Sequence, residues 1–356
     1  MAYERFQYKD HFCDRPFSVA QIHADGTLHF CPTLWQKLDV GDLRRGSFDE
    51  AWNSPIAQSV RRSIHDGTFL YCSKARCPYL CDGGAGLTQR DAITDPILRA
   101  VIDTAALTLN VGPRRVELGY PGVPEMALVQ ERVTRDGLVD AQTLCIAVNH
   151  EPLTSPQYLQ VLREFPWESY VSLGIELVTD GKGLDAAMWN TLQRAHKAIR
   201  AIQVRLDRFP IHSCNAFTTR ADRALIANLR FVSGLRSGRQ LEHIALRFDV
   251  TSENFSQMRA IAWFAQRHRF DKVHFQLPQD DPGAKPGPHS VHHELHPKHR
   301  AFLRILRDPA LWGENVHIDP FPSHAEARAA ALRPRAVRGL FRFLPALRLP
   351  YGGHFR

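Results

Sequence analysis

Five of the seven cysteines fall before residue 82, and that crowding constrains the chain more than any other feature. Cys72 and Cys77 share one short segment. Cys13 and Cys31 bracket a stretch that alternates apolar and polar residues around Asp25-Gly26. An Asp-Gly pair tolerates positive φ and favours a tight turn, so the spacing predicts a hairpin with Cys31 at its far end. Two local pairs brought together make a four-thiolate site for a metal centre. Zinc and iron–sulfur clusters use this same ligand set. Structural zinc pairs are usually separated by roughly two to four residues, and only the second pair meets that spacing. The long first gap leans toward iron–sulfur. Cys81 follows closely and reads as a substitute ligand, as part of a second centre or as a spare thiol, while Cys145 and Cys214 lie in apolar surroundings where a lone cysteine behaves as a small hydrophobe.

The reading as ligands rather than disulfides depends on compartment. No apolar run approaches the roughly 18 residues that span a bilayer, and the first residues lack the apolar segment of a secretory signal. A cytoplasmic location is therefore expected, where thiols stay reduced. Hydrophobic residues make up 44% and charged residues 23%, ordinary usage for a folded chain. The formal charge of +8 is uneven: beyond residue 323, seven arginines from Arg328 to Arg356 face the single acid Glu326. That pattern argues for a basic appendage and against a nucleic-acid-binding surface. Arginines interleaved with Leu, Phe and Val suit contact with an acidic partner or a membrane surface, although Pro334, Pro345 and Pro350 break the segment.

Ser47 and Glu50 match a capping box, predicting a helix through about Ile64, and Asp66-Gly67 returns the chain to Cys72. Glycines at 83, 84 and 86 mark a boundary. Beyond it, short β-like runs alternate with helical ones: Val116–Leu118, Leu144–Val148, Leu173–Val178, Ile202–Leu206, Ile244–Phe248, Val273–Leu277 and Val316–Ile318. That alternation implies parallel βαβ units. Met188, Leu192, Ala195 and Ile199 fall on one helical face, and residues 260–267 give a second stripe; both read as core faces. The layout is thus a cysteine-rich α+β unit over 1–90, an α/β unit over 100–322, and a basic tail over 323–356.

Two other groups carry potential chemistry. His289, His292, His293, His296 and His299 crowd a Pro- and Gly-rich loop and read as a solvated loop against a weak metal site. Glu151 with His150 makes an acid–base pair at a strand end, where α/β folds bind ligands.

The phrases CDRPFSVAQIHADGTLHFCPTLW and GDLRRGSFDEAWNSPIAQSVRRSIHDGTFLYCSKARCP resemble the SPASM or twitch domain that accompanies many radical S-adenosylmethionine (SAM) enzymes. The resemblance implies an auxiliary [4Fe–4S] cluster on Cys13, Cys31, Cys72 and Cys77. The second unit, over about residues 105–280 of its 100–322, resembles a degenerate radical SAM partial (β/α)6 barrel. IAVNHEPL sits where that family places Gly-Gly-Glu-Pro: Glu151 and Pro152 match, and Asn149 and His150 depart. By resemblance Glu151 would contact the SAM ammonium, a charge-assisted contact. VTDG at 178–181 resembles the Thr-Asn-Gly that follows, and IQVRLD the next strand, with Arg205 replacing a small hydroxyl residue. The family's Cys-x3-Cys-x2-Cys is missing: after Val116 the chain reads ELGYPGVPEM. The order of the two units is also reversed. The resemblance therefore implies an iron–sulfur protein with an accessory, electron-relay or substrate-binding role in peptide or saccharide modification, partnered by a radical SAM enzyme or a peptide substrate. The alternatives are an active SAM-binding enzyme using Glu151 or His150, and a zinc-stabilised binding module.

Overall fold

The computed structural model describes residues 8–80, 84, 86–119, 129, 131–146, 151–210, 219–278, 287–319, 321, 327 and 328. Cys81, His150, Cys214 and nearly all of the basic tail lie outside them.

Twelve strands are present among these residues: β1 His11–Phe12, β2 Val19–Ile22, β3 Thr27–His29, β4 Gly41–Asp42, β5 Thr88–Gln89, β6 Arg115–Leu118, β7 Thr143–Ile146, β8 Gly174–Thr179, β9 Ile199–Leu206, β10 His243–Asp249, β11 Lys272–Gln276 and β12 Val316–Ile318. β1 and β5 form a small antiparallel pair. The other ten make one sheet in the order β12-β11-β10-β9-β8-β7-β6-β2-β3-β4. From β6 to β12 seven strands run parallel in strict sequence order. The helices described between these strands bury apolar residues in the same core as the strands, among them Leu162, Trp189, Leu229 and Ile261. The fold is mixed α/β around a large parallel sheet.

The predicted hairpin is present, with Gly26 at φ +81° in its turn. Its placement was not legible in the pattern. β2 pairs in parallel with β6, Val19 opposite Arg115 and Ile22 opposite Leu118, so the cysteine-bearing hairpin extends the large sheet across the boundary expected near residues 90–100. Two local expectations fail. The helix from Ser47 does open on a capping box but stops at Trp52, and a second begins at Pro55 with Ser54 as its cap. Pro55 lacks an N–H and clashes with the preceding turn, so a new first turn costs less than a continuous helix. The stripe from Met188 to Ile199 is not one helix either: the α-helix ends at Thr191, a short 3-10 turn follows, and Ile199 starts β9. β-branched Ile199 and Ile202 fill the strand period as well as the helical one, and tertiary pairing with β8 and β10 decides.

Alternation along the parallel strands sorts the two faces. Val116, Leu144, Leu177, Val204, Leu246 and Phe275 are buried in one apolar core with the crossover helices. The opposite face carries Glu117, Cys145, Glu176, Gln203, Arg247 and His274, a largely polar and half-buried surface.

Candidate metal centre

Cys13 follows β1 and precedes a four-residue helix, α1 (Arg15–Ser18); Cys31 follows β3; Cys72 and Cys77 lie on the loop after the helix Pro55–His65. Gly67 makes this return possible. It adopts φ +71°, and a Cβ there would meet the Lys9 backbone at 2.8 Å. Phe69, at φ 48°, buries its ring and turns the chain toward Cys72. Ser73 N then donates to Trp35 O at 2.8 Å, docking the second cysteine loop on the turn that follows Cys31. Under the loop the Pro55–His65 helix is pinned by Arg61. Its fully buried guanidinium lies 4.5 Å from the Trp52 ring centre and donates to Pro16 O at 2.8 Å and Leu107 O at 3.1 Å. Among the described residues no carboxylate pairs with it, and burial holds its pKa down to about 9.

The result is that Cys13, Cys31, Cys72 and Cys77 all line one cavity. Its apolar wall is Ile64, Phe69, Leu80 and Leu87, and its polar groups are Arg15, Gln36 and Tyr79. Burial, then the neighbouring Cys31, pushes the Cys13 thiol well up; burial, then Cys31 and Cys77, brings Cys72 to about 12. Burial likewise raises Cys31, with Arg15 pulling the other way through its charge and a hydrogen bond. Arg15 also reaches Glu117 at 3.8 Å, which accepts from Gln21 Nε2 at 3.1 Å and from Arg115 at 2.7 Å, so the cavity is linked to the polar sheet face.

The chemistry of this donor set fits a bound soft metal centre. Four sulfurs crowd one apolar pocket, where deprotonation needs a compensating cation. Gln36 is 2% exposed, and among the described residues neither of its side-chain amide atoms has a partner. A buried amide is costly unless something bonds to it. A sulfur-ligated group that accepts hydrogen bonds meets both needs. Neither Arg15 nor Gln36 was found by sequence reasoning, which weighed only metal-ligating and titratable patterns.

The other candidates distribute differently. Cys145 is buried in β7, opposite Glu117 and Glu176, outside the cavity. Glu151 is held locally: Oε1 accepts from Leu153 N at 3.1 Å and Thr179 Oγ1 at 2.8 Å, and Oε2 from Asp180 N at 2.5 Å. Burial raises its pKa, against those three donors. The two motif-like segments, at 151–153 and 178–181, therefore bind each other. In the histidine-rich loop, His296 contacts Pro288 O at 3.1 Å, His299 contacts Val291 O at 3.0 Å, and His293 Nδ1 accepts from Leu295 N at 3.2 Å. These contacts order the loop itself and do not gather the imidazoles.

Residues 13–78 match the SPASM family, an iron–sulfur cluster-binding domain. No curated protein matches the chain in sequence. Among solved structures, the crystal structure of archaeal TYW1 is similar at 11% identity and a TM-score of 0.26, covering 42% of this chain and 47% of that one. The structure of TYW1 with a lysine-pyruvate adduct bound gives 10%, 0.27, 42% and 45%. This chain thus spans about half the length of those proteins, and a likeness of that size fixes neither fold nor activity. Among the described residues no helix is long and apolar enough to cross a membrane.

Proposed function

We propose that Cys13, Cys31, Cys72 and Cys77 hold one [4Fe–4S] cluster, and that the chain is an accessory, electron-relay or substrate-binding protein related to radical SAM enzymes, serving peptide or saccharide modification. The convergence of the four sulfurs on a single cavity carries this reading. Such a cluster supplies one-electron chemistry when bound. The chain supplies four thiolates, the Arg15 guanidinium that opposes their charge, the Gln36 amide as a donor, and an apolar wall that excludes water. A zinc ion is less well served. Tetrahedral bonds of about 2.3 Å would bring the sulfurs to about 3.8 Å from one another. Among the described residues the trio of metal-ligating atoms that gathers within 4.8 Å lies elsewhere, on β11, on β12 and just past the end of β12.

The in-order parallel strands support a degenerate partial barrel of the radical SAM kind, in which no cysteine triplet follows β6. Glu151, engaged by three local donors, supports a structural part for the strand-end motif rather than an active SAM-binding enzyme. Iron and sulfide analysis of anaerobically purified protein tests the reading, with about four of each per chain expected. Zinc in a colourless protein overturns the cluster assignment, and about eight irons overturns the single-cluster claim. Calorimetric titration with SAM is expected to give no heat. Binding that Glu151→Ala abolishes would replace the accessory role with an enzymatic one.

A further inference from the structure

We propose a second metal site, separate from the cysteine cavity, in which His274, His317 and Asp319 hold a divalent first-row ion at the C-terminal rim of the sheet. His274 in β11 and His317 in β12 are direct register partners, so their side chains leave the sheet on the same face. Asp319 is two residues past His317 and shares that face. One ligand atom from each residue lies within 4.8 Å of the other two. His274 Nε2 is 2.6 Å from Asp319 Oδ1, and His317 Nε2 is 3.9 Å from the same oxygen.

The carboxylate is aimed by the backbone. Its other oxygen, Oδ2, accepts from Leu277 N at 3.0 Å, while Asp319 N donates to Phe275 O at 3.1 Å. Backbone groups from β11 thus fix the ligand carried by the end of β12, the kind of outer support that metal-ligating carboxylates use. Phe275 and Ile318, on the opposite face, are buried and hold the two strands rigid. Arg247, beside His274 in register, is ion-paired with Asp249 at 3.2 Å.

Two imidazoles and one carboxylate on one side of an ion are the donor set of Fe(II), Mn(II) and Zn(II) sites that keep open positions. Donor–metal bonds of about 2.1 Å need donor separations of about 3–3.5 Å, so small rotations of the two rings accommodate an ion. The His317 side chain is 55% exposed, which leaves the open positions accessible to a second ligand from solvent. The C-terminal ends of parallel strands are where α/β sheets bind ligands.

Titration with Mn(II) tests the site. The full chain is first reconstituted anaerobically with iron and sulfide, and the loss of the free Mn(II) EPR signal is read. About one Mn(II) per chain is expected to bind, with His317→Ala and Asp319→Asn each weakening it at least about tenfold. His317→Ala removes an exposed side chain, and an unchanged circular dichroism spectrum verifies its fold. No Mn(II) bound by the native chain, equal binding by both variants, or binding that tracks iron content instead of the histidines overturns the proposal.

Discussion

The cysteine module and the parallel-strand body share one sheet yet handle buried polar chemistry in opposite ways. In the body, charges satisfy one another: on the polar face Arg115 binds Glu117 at 2.7 Å and Glu176 at 2.8 Å, and in the last turn of a crossover helix Arg236 binds Asp271 at 3.0 Å. In the module, four thiols and the Gln36 amide are gathered against apolar walls. A set of groups that is internally balanced can be structural. One that is left unbalanced in a dry pocket points to a bound partner, because an uncompensated buried polar group costs about 1–3 kcal/mol. Arg15 is the junction, contacting Cys31 on one side and Glu117 on the other.

The largest effect that separates the two regions is removal of a ligand. Cys72→Ser is expected to drop iron from about four per chain to near none and to unfold the module, because metal binding energy is folding energy in such sites. Retained iron would show that the thiols are as expendable as any single body charge. Next is Arg61→Met, which leaves the carbonyls of Pro16 and Leu107 unpaired and should cost about 3–5 kcal/mol in urea unfolding. Loss of less than about 1 kcal/mol would mean that the module's core tolerates its buried charge only weakly. Gln36→Leu, in cluster-loaded protein, is expected to lower the midpoint potential by roughly 50 mV, since a lost donor worth about 1 kcal/mol no longer favours the electron-rich state. An unchanged potential with full iron content would detach the amide from the cavity's function.

The smallest effect belongs to the balanced body. Burial acts to raise the Asp271 pKa, but hydrogen bonds from Arg236 and Ile244 N and the Arg236 charge outweigh it, so the folded value is lowered. Its contribution is therefore present above the unfolded value near 3.9 and is lost as pH falls through the folded one. Asp271→Asn should cost about 0.5–1 kcal/mol at neutral pH, a figure reduced for solvent screening, and nothing at strongly acid pH. Thermal melts of both proteins across pH 2–7 read the difference, and a gap that persists in acid would refute the electrostatic account.

Much of the module was legible because its signals are local. Asp25-Gly26 fixes a turn, and Ser47 and Glu50 cap a helix. Signals that two structures can use were read wrongly. Ile199 fits a helical stripe and a strand equally, and Ser54-Pro55 inside an apparent helix supplies both a stop and a new start. Arg15 and Gln36 were missed because nothing local distinguishes a donor to the cavity from a surface side chain. His274 and Asp319 were missed because they lie 45 positions apart, and only strand register makes them neighbours.

By itself, then, the sequence determined the crowding of cysteines at Cys13, Cys31, Cys72 and Cys77 and the alternation of most strands and helices beyond residue 115. Both follow from residue type and short-range geometry. Tertiary structure decided that β2 joins β6, that Gln36 lines the cysteine cavity, and that two histidines meet one carboxylate across β11 and the end of β12. Those outcomes depend on which strand edges pair, and pairing is settled by burial summed over the whole sheet rather than by any one segment.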